Sequence, residues 1–167
     1  MRRAVVLAAL IVTTSASAAS APTGIEVVSG FAGNTSWSLL ADDTKSGSFS
    51  VTVLINKRLD SSEGGALDLE GPRAITYLAH SGRPSPNYIV GPVIATATHV
   101  VITYANGLRI TVPTIRPPAG LASNLRFYVH FTACQTLRPA RIAGLDARGR
   151  VVAAMRLATR FGPRETC

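Results

Sequence analysis

Short runs in which apolar and polar residues alternate dominate the sequence, and this period of two is that of a half-buried β-strand. Beyond the first twenty residues, no run of useful length has the 3.6-residue apolar spacing of an amphipathic helix. Gly, Pro, Ser and Asp interrupt the runs roughly every ten residues, as turns do between short strands. The pattern predicts an all-β fold, a single antiparallel β-sandwich (Ig-like or related), with a barrel as the alternative.

Two hairpins are predicted in the second half of the chain. The first covers Thr98–Thr114, where apolar residues occupy alternate positions on both sides of Asn106-Gly107. Asn-Gly favours a tight hairpin turn because both residues accept positive φ at little cost. The second hairpin runs from Ile142–Leu145 to Val151–Met155 through a turn at residues 146–149.

The other predicted strands have a less regular alternation. They are Ile25–Val28, Trp37–Ala41, Phe49–Ile55, Ala74–Leu78, Tyr88–Val93 and Leu125–Phe131. In the last of these, Arg126, Tyr128 and His130 alternate with apolar residues, which predicts one buried side and one polar side. The segment Asp60–Gly71, rich in glycine and acidic residues, is predicted to be a long loop, and His80 is placed in a turn.

The N-terminus has the three parts of a secretory signal peptide. Arg2 and Arg3 give a positive start, Ala4–Val12 is an apolar run, and Ala16-Ser17-Ala18 is a cleavage site of the A-x-A type. The apolar run is shorter than the ~20 residues that a transmembrane helix needs, so no transmembrane anchor is predicted. We therefore expect cleavage near Ala18 and a secreted, extracellular product.

Removal of residues 1–18 leaves residues 19–167, which is enough for a single β-sandwich domain with its own core. The two cysteines of the chain are Cys134 and Cys167. In an oxidising compartment such a pair predicts a structural disulfide that fixes the C-terminus. A reactive or metal-binding thiol pair is the alternative, although neither cysteine has a CxxC partner or a nearby histidine.

Basic charge is concentrated in the last quarter of the chain. Residues 126–167 hold eight arginines and only two acidic residues, Asp146 and Glu165. Because the guanidinium fork binds phosphate and carboxylate groups, these arginines predict a face that binds anions or a partner. The candidate residues are Arg138, Arg141, Arg148 and Arg150. Export favours an anionic cell-envelope polymer or another secreted protein over nucleic acid, and a solvated strand face kept basic for solubility is the alternative.

No catalytic residue, metal ligand or cofactor site is predicted. The three histidines are isolated in sequence, the acidic residues do not have EF-hand spacing, and no serine lies in a G-x-S-x-G context. The sequence therefore favours an exported, non-enzymatic binding or structural module. The alternatives are a small secreted hydrolase with scattered catalytic residues, and an enzyme inhibitor that presents Asp60–Gly71 or Arg116-Pro117-Pro118 as an exposed loop.

One stretch of the chain is similar to a known group of proteins. It contains, in order, Gly91-Pro92-Val93, the valine-rich Val100–Tyr104, the aromatic Arg126–Val129 and the turn-containing Leu145–Val151. This order resembles uncharacterised secreted or surface proteins of actinobacteria, which carry an A-L-D-A-x-G-R-V hairpin in their C-terminal half. Trp37 with Ala41 resembles the W-x-L-x-A opening of the same group. The resemblance implies a β-sandwich fold and brings no established activity or catalytic residue.

Overall fold

The regular structure in the computed structural model of the protein consists of β-strands. The structure describes residues 23–44, 48–66, 74–80, 86–121, 124–132 and 139–157, and in these ranges there are eleven strands and no helix. The strands are β1 (Ile25–Ala32), β2 (Thr35–Thr44), β3 (Ser48–Ile55), β4 (Arg58–Ala66), β5 (Leu78–His80), β6 (Asn87–Ile94), β7 (His99–Tyr104), β8 (Arg109–Pro113), β9 (Leu125–Thr132), β10 (Pro139–Leu145) and β11 (Val151–Arg156).

The strands form three sheets in which each described pairing is antiparallel. The N-terminal sheet has the order β1-β2-β3-β4, so its strands are adjacent in space as they are in sequence. The middle sheet has the order β5-β6-β9, and the C-terminal sheet has the order β11-β10-β7-β8. The pairs β6–β9 and β7–β10 join strands that are distant in sequence, and they fix the arrangement of the second half of the chain.

Both faces of the middle sheet are covered. Along β6, Tyr88 and Val90 belong to a core shared with the N-terminal sheet, whereas Ile89 and Val93 belong to a core shared with the C-terminal sheet. Alternate residues of a strand point to opposite faces, so one strand supplies both cores. The three sheets are therefore stacked in layers, with the middle sheet between the other two.

Each core is lined by the inward-facing residues of its two sheets. The core on the N-terminal side contains Leu39, Ala41, Phe49, Val51, Val53, Ile55, Leu78, Tyr88, Val90 and Phe127. Trp37 adds a stacked ring contact with Phe131 at 4.3 Å between centroids. The core on the C-terminal side contains Ala74, Ile75, Ile89, Val93, Ala97, Val100, Ile102, Tyr104, Val112, Tyr128, Ile142, Ala153 and Leu157.

The predicted fold class is confirmed. The described chain is all-β, its sheets are antiparallel and packed face to face as in a β-sandwich, and they do not close into a barrel. Both predicted hairpins are present, as β7–β8 around Asn106-Gly107 and as β10–β11. Gly107 and Gly149 have positive φ in these two turns, which explains the glycine at each position.

The predicted loop over Asp60–Gly71 is wrong in its first part. Residues 60–66 belong to β4, which pairs with β3 after a register shift near Leu54, and residues 67–73 lie outside the described residues. The glycines and serines of this segment suggested a loop, but small polar residues also suit an edge strand with a solvated face. The Asn56-Lys57 turn that precedes β4 has positive φ at both residues.

The predicted polar side of β9 is also wrong in part. Tyr128 is fully buried, and its hydroxyl donates a hydrogen bond to the carbonyl oxygen of Thr76 at 2.9 Å. Burial raises the pKa of the Tyr128 hydroxyl well above its ordinary value. Because the middle sheet has a layer on each side, its second face accepts a tyrosine that would lie in solvent in a two-layer sandwich.

The predicted strand Ala74–Leu78 is replaced by a single bridge and a short strand. Ile75 pairs with Val93 as an isolated bridge, and regular pairing resumes only in β5 at Leu78–His80. Between them the chain passes so close to β6 that a Cβ atom at Gly91 would overlap the carbonyl oxygen of Thr76.

Within the described part of the chain, no helix is long and apolar enough to cross a membrane.

We expect Gly91→Ala to lower the free energy of unfolding by about 3 kcal/mol or more, because a backbone oxygen must move to admit the methyl group. Gly33→Ala is the matched control. Gly33 has positive φ but no atom within 4 Å of the added Cβ, so this substitution should lower the free energy of unfolding by about 1 kcal/mol. Urea unfolding of both variants measures the difference, and equal losses would contradict the close approach at Gly91.

Candidate anion-binding face

The outer face of the C-terminal sheet carries a row of arginines. In the strand register Arg141 lies opposite Arg156 on one side and opposite Thr103 on the other, and Thr103 lies opposite Arg109. Residues paired directly across strands project from the same face of a sheet. Arg156, Arg141, Thr103 and Arg109 therefore form one line across β11, β10, β7 and β8.

Burial shows that this line faces solvent. Ile102 and Ile142, the sequence neighbours of Thr103 and Arg141, are 0% exposed and lie in the core on the C-terminal side. Side chains one position away must point outward, and all three arginines of the row are exposed. The apolar alternation that builds the core thus also places the arginines on the outside.

The row carries positive charge without a neutralising partner. No ion pair or side-chain hydrogen bond within the described ranges involves Arg109, Arg141 or Arg156. Like charges directly opposite each other on neighbouring strands repel, so this part of the sheet holds an unfavourable concentration of charge. An anion bound at the row would reduce that repulsion.

The structure separates Arg141 from the other predicted arginines that it describes. Arg148 and Arg150 lie in the β10–β11 turn, at the opposite end of β10 from Arg141. Arg150 is paired with Asp146, with a nitrogen–oxygen distance of 2.8 Å, whereas Arg148 has an exposed side chain. Arg138, together with the cysteines Cys134 and Cys167, lies outside the described residues.

Asp146 organises that turn. One carboxylate oxygen accepts hydrogen bonds from the backbone N–H groups of Arg148 and Arg150, each at 2.9 Å, and the other accepts one from Arg150 Nε. The backbone bond from Arg150 is the main reason that the pKa of Asp146 lies below its ordinary value. The Arg150 side chain therefore stabilises the turn through Asp146, whereas the Arg148 side chain is exposed to solvent.

Sequence reasoning missed two members of the row, Arg109 and Arg156. Arg109 precedes the basic quarter of the chain, and it joins the row because the Asn106-Gly107 turn sets it opposite Thr103. That register could have been read from the turn. The pairing of β10 with β7, which brings Arg141 to the same line, has no local signal in the sequence.

A second polar cluster lies between the N-terminal and middle sheets. Tyr88 Oη donates a 2.5 Å hydrogen bond to Asp60 Oδ2, and His80 Nδ1 lies 3.7 Å from the same oxygen. The rings of Tyr88 and His80 are stacked with centroids 5.6 Å apart. Burial and then the bond to Asp60 raise the pKa of Tyr88 well above its ordinary value. His80 is the last residue of β5, so its predicted place in a turn is wrong.

The remaining candidates are dispersed. His99 is exposed next to Thr98, and His130 is half-buried, with a pKa lowered by that burial. Arg116 is exposed beside a bridge in which Ile115 and Phe127 exchange two backbone hydrogen bonds. In the parts of the chain that the structure describes, no three histidine, cysteine or acidic side chains lie close enough together to hold a metal ion.

Comparison of the chain with protein-family models, with curated proteins and with solved structures finds no match. The resemblance to secreted actinobacterial proteins therefore stays a prediction. Among the features of the described residues, the arginine row has the clearest chemical preference, which is for anions.

We expect the Asp146 carboxyl to titrate below pH 3.8, its ordinary pKa, in an NMR pH titration. Arg150→Gln should raise this pKa, because it removes the side-chain bond and the nearby charge, while Arg148→Gln should change it much less. Because the folded-state pKa of Asp146 is depressed, the contribution of its hydrogen bonds to stability is fully present above the unfolded-state pKa. That contribution is lost as the pH falls through the folded-state pKa. An equal shift in both variants would contradict the assigned contacts.

Urea unfolding at two pH values tests the hydrogen bond between Tyr88 and Asp60. At pH 8, Tyr88→Phe should lower the free energy of unfolding by about 2 kcal/mol, because Asp60 loses the hydrogen bond from the tyrosine hydroxyl. The pKa of Tyr88 is raised in the fold, so its stabilising contribution is present below pH 10.0, its ordinary value, and is lost as the pH rises further. The loss in free energy of unfolding that Tyr88→Phe causes should therefore be smaller at pH 11 than at pH 8. The loss caused by the control, Phe127→Leu, should be the same at both pH values.

Proposed function

We propose that this protein is an exported, non-enzymatic binding module whose outer C-terminal sheet face binds an anionic polymer of the cell envelope. The observation that carries the proposal is the row of three exposed arginines, Arg109, Arg141 and Arg156, which have no acidic partner among the described residues. A surface kept basic only for solubility does not need its charges aligned on one face.

A polymer suits this face better than a single small anion does. Neighbouring strands are about 4.8 Å apart, so the row extends roughly 15 Å across four strands. Each exposed contact is weak on its own because water and salt screen it. A chain with repeated charges can engage all three arginines at once, and the combined contacts give useful affinity.

Export is the second support for the proposal. The sequence of residues 1–18 predicts a signal peptide. In that location, envelope polymers are the abundant polyanions, whereas nucleic acid is not the usual ligand. The protein would then remain at the cell surface by charge attraction, without an anchor in the membrane.

The test is sedimentation of the mature protein with purified cell envelopes at low and high salt. We expect salt-sensitive binding, and we expect the triple variant Arg109→Gln, Arg141→Gln and Arg156→Gln to lose about tenfold or more in affinity at low salt. The control is Lys57→Gln, Arg58→Gln and Arg116→Gln, which removes the same charge from exposed positions elsewhere and should retain most of the binding.

Two results would count against the proposal. Absence of binding by the wild-type protein at low salt would remove the proposed ligand. Equal losses in the two triple variants would show that net charge, rather than the arginine row, controls attachment.

A further inference from the structure

We infer that Arg141 and Arg156 form a two-guanidinium clamp for a phosphate group, and that the polymer bound by this protein is therefore a phosphodiester chain. This inference rests on the proposed function and specifies the chemistry of its ligand. It depends on the position of the two arginines relative to each other and to the small residues beside them.

The two arginines are direct cross-strand partners. Arg141 of β10 pairs with Arg156 of β11, so their Cα atoms are separated by about 5 Å and their side chains leave the same face. Both side chains are exposed, and neither has a described anionic partner. Two long side chains that start this close together can bring both guanidinium groups to one anion.

Small residues adjoin the pair on the same face. Ala143 and Ala154 are paired with each other two positions farther along β10 and β11, and so they lie in the next outward-facing row. Ala143 is buried, and its partner on β7 is the buried Val101, so the sheet is covered on that side of the pair. Ala154 on β11 is half-buried and has only a methyl group. The anion can therefore approach the sheet between the arginine side chains on the β11 side, next to Ala154.

The shape of the acceptor group favours phosphate over carboxylate. A phosphodiester has two charged oxygens, as a carboxylate has, but the carboxylate is planar and a guanidinium fork engages both of its oxygens side-on in that plane. The phosphorus centre is tetrahedral, so its two charged oxygens diverge more widely and two guanidinium groups can approach them from different sides. The free protein brings two positive charges together, and one phosphate between them relieves this repulsion.

The row also sets the direction of the bound chain. Arg109 lies two strands beyond Arg141, at a distance of about 10 Å, and the Thr103 position lies between them. A polymer that places one phosphate in the clamp can present its next charged group to Arg109 if it crosses the strands. The chain therefore runs perpendicular to the strands of the C-terminal sheet.

Substitution by lysine separates clamp geometry from charge. Lysine keeps the positive charge but lacks the planar fork. The probes are poly(glycerol phosphate) and poly-L-glutamate of equal charge number, each titrated into the mature protein at the same ionic strength. We expect the wild-type protein to prefer the phosphate polymer by about tenfold, and the double variant Arg141→Lys and Arg156→Lys to lose that preference. The control, Arg58→Lys and Arg116→Lys, should retain it.

The outcomes distinguish the two proposals. Equal affinity of the wild-type protein for both polymers, or an unchanged preference in the Arg141→Lys and Arg156→Lys variant, would overturn the phosphate clamp while leaving a binding face in place. Binding of neither polymer, together with failure to sediment with envelopes, would overturn the proposed function as well. Thermal unfolding of each variant without ligand verifies that the lysine substitutions preserve the fold.

Discussion

Burial of β6 on both faces is the constraint on which the rest of the described structure depends. Tyr88 and Val90 serve one core while Ile89 and Val93 serve the other, so the strand has no face left for solvent. Its backbone must also be hydrogen-bonded on both edges, by β5 and by β9. Gly91 is needed for the same reason, because the chain at Thr76 packs against β6 at a position where any side chain would overlap its carbonyl oxygen.

In the C-terminal sheet, packing of the core also determines which side chains lie on the outer face. One of its faces fills a core, and strict alternation then places the arginines on the opposite face, where they are exposed. The fixed positions of Ile102 and Ile142 leave Arg141 no alternative to the outer face, and strand register brings it opposite Arg156. The proposed ligand chemistry is thus a consequence of core packing and pairing, with no special loop required.

Local patterns predict the parts of this fold that depend on local contacts. The Asn106-Gly107 and 146–149 turns mark both C-terminal hairpins, because turn chemistry and alternation agree there. The third layer has no such signal, since a tyrosine on the apparently polar side of β9 looks the same whether it meets water or a second core. For the candidate site, charge composition pointed to Arg141. Its pairing with Arg156 and the position of Arg109 follow from two local hairpins, but the alignment of those hairpins in one row depends on the non-local pairing of β10 with β7.

The shared middle sheet also determines how this chain can fold. Hairpins such as β7–β8 and β10–β11 close within microseconds because their partners are adjacent in sequence. The middle sheet is different, because Val90 pairs with Val129 and the entire β7–β8 hairpin lies between these two strands. Both cores use that sheet, so neither is complete until β9 docks. Assembly therefore depends on two long-range pairings, of β9 with β6 and of β10 with β7, and the first of these is needed to complete both cores.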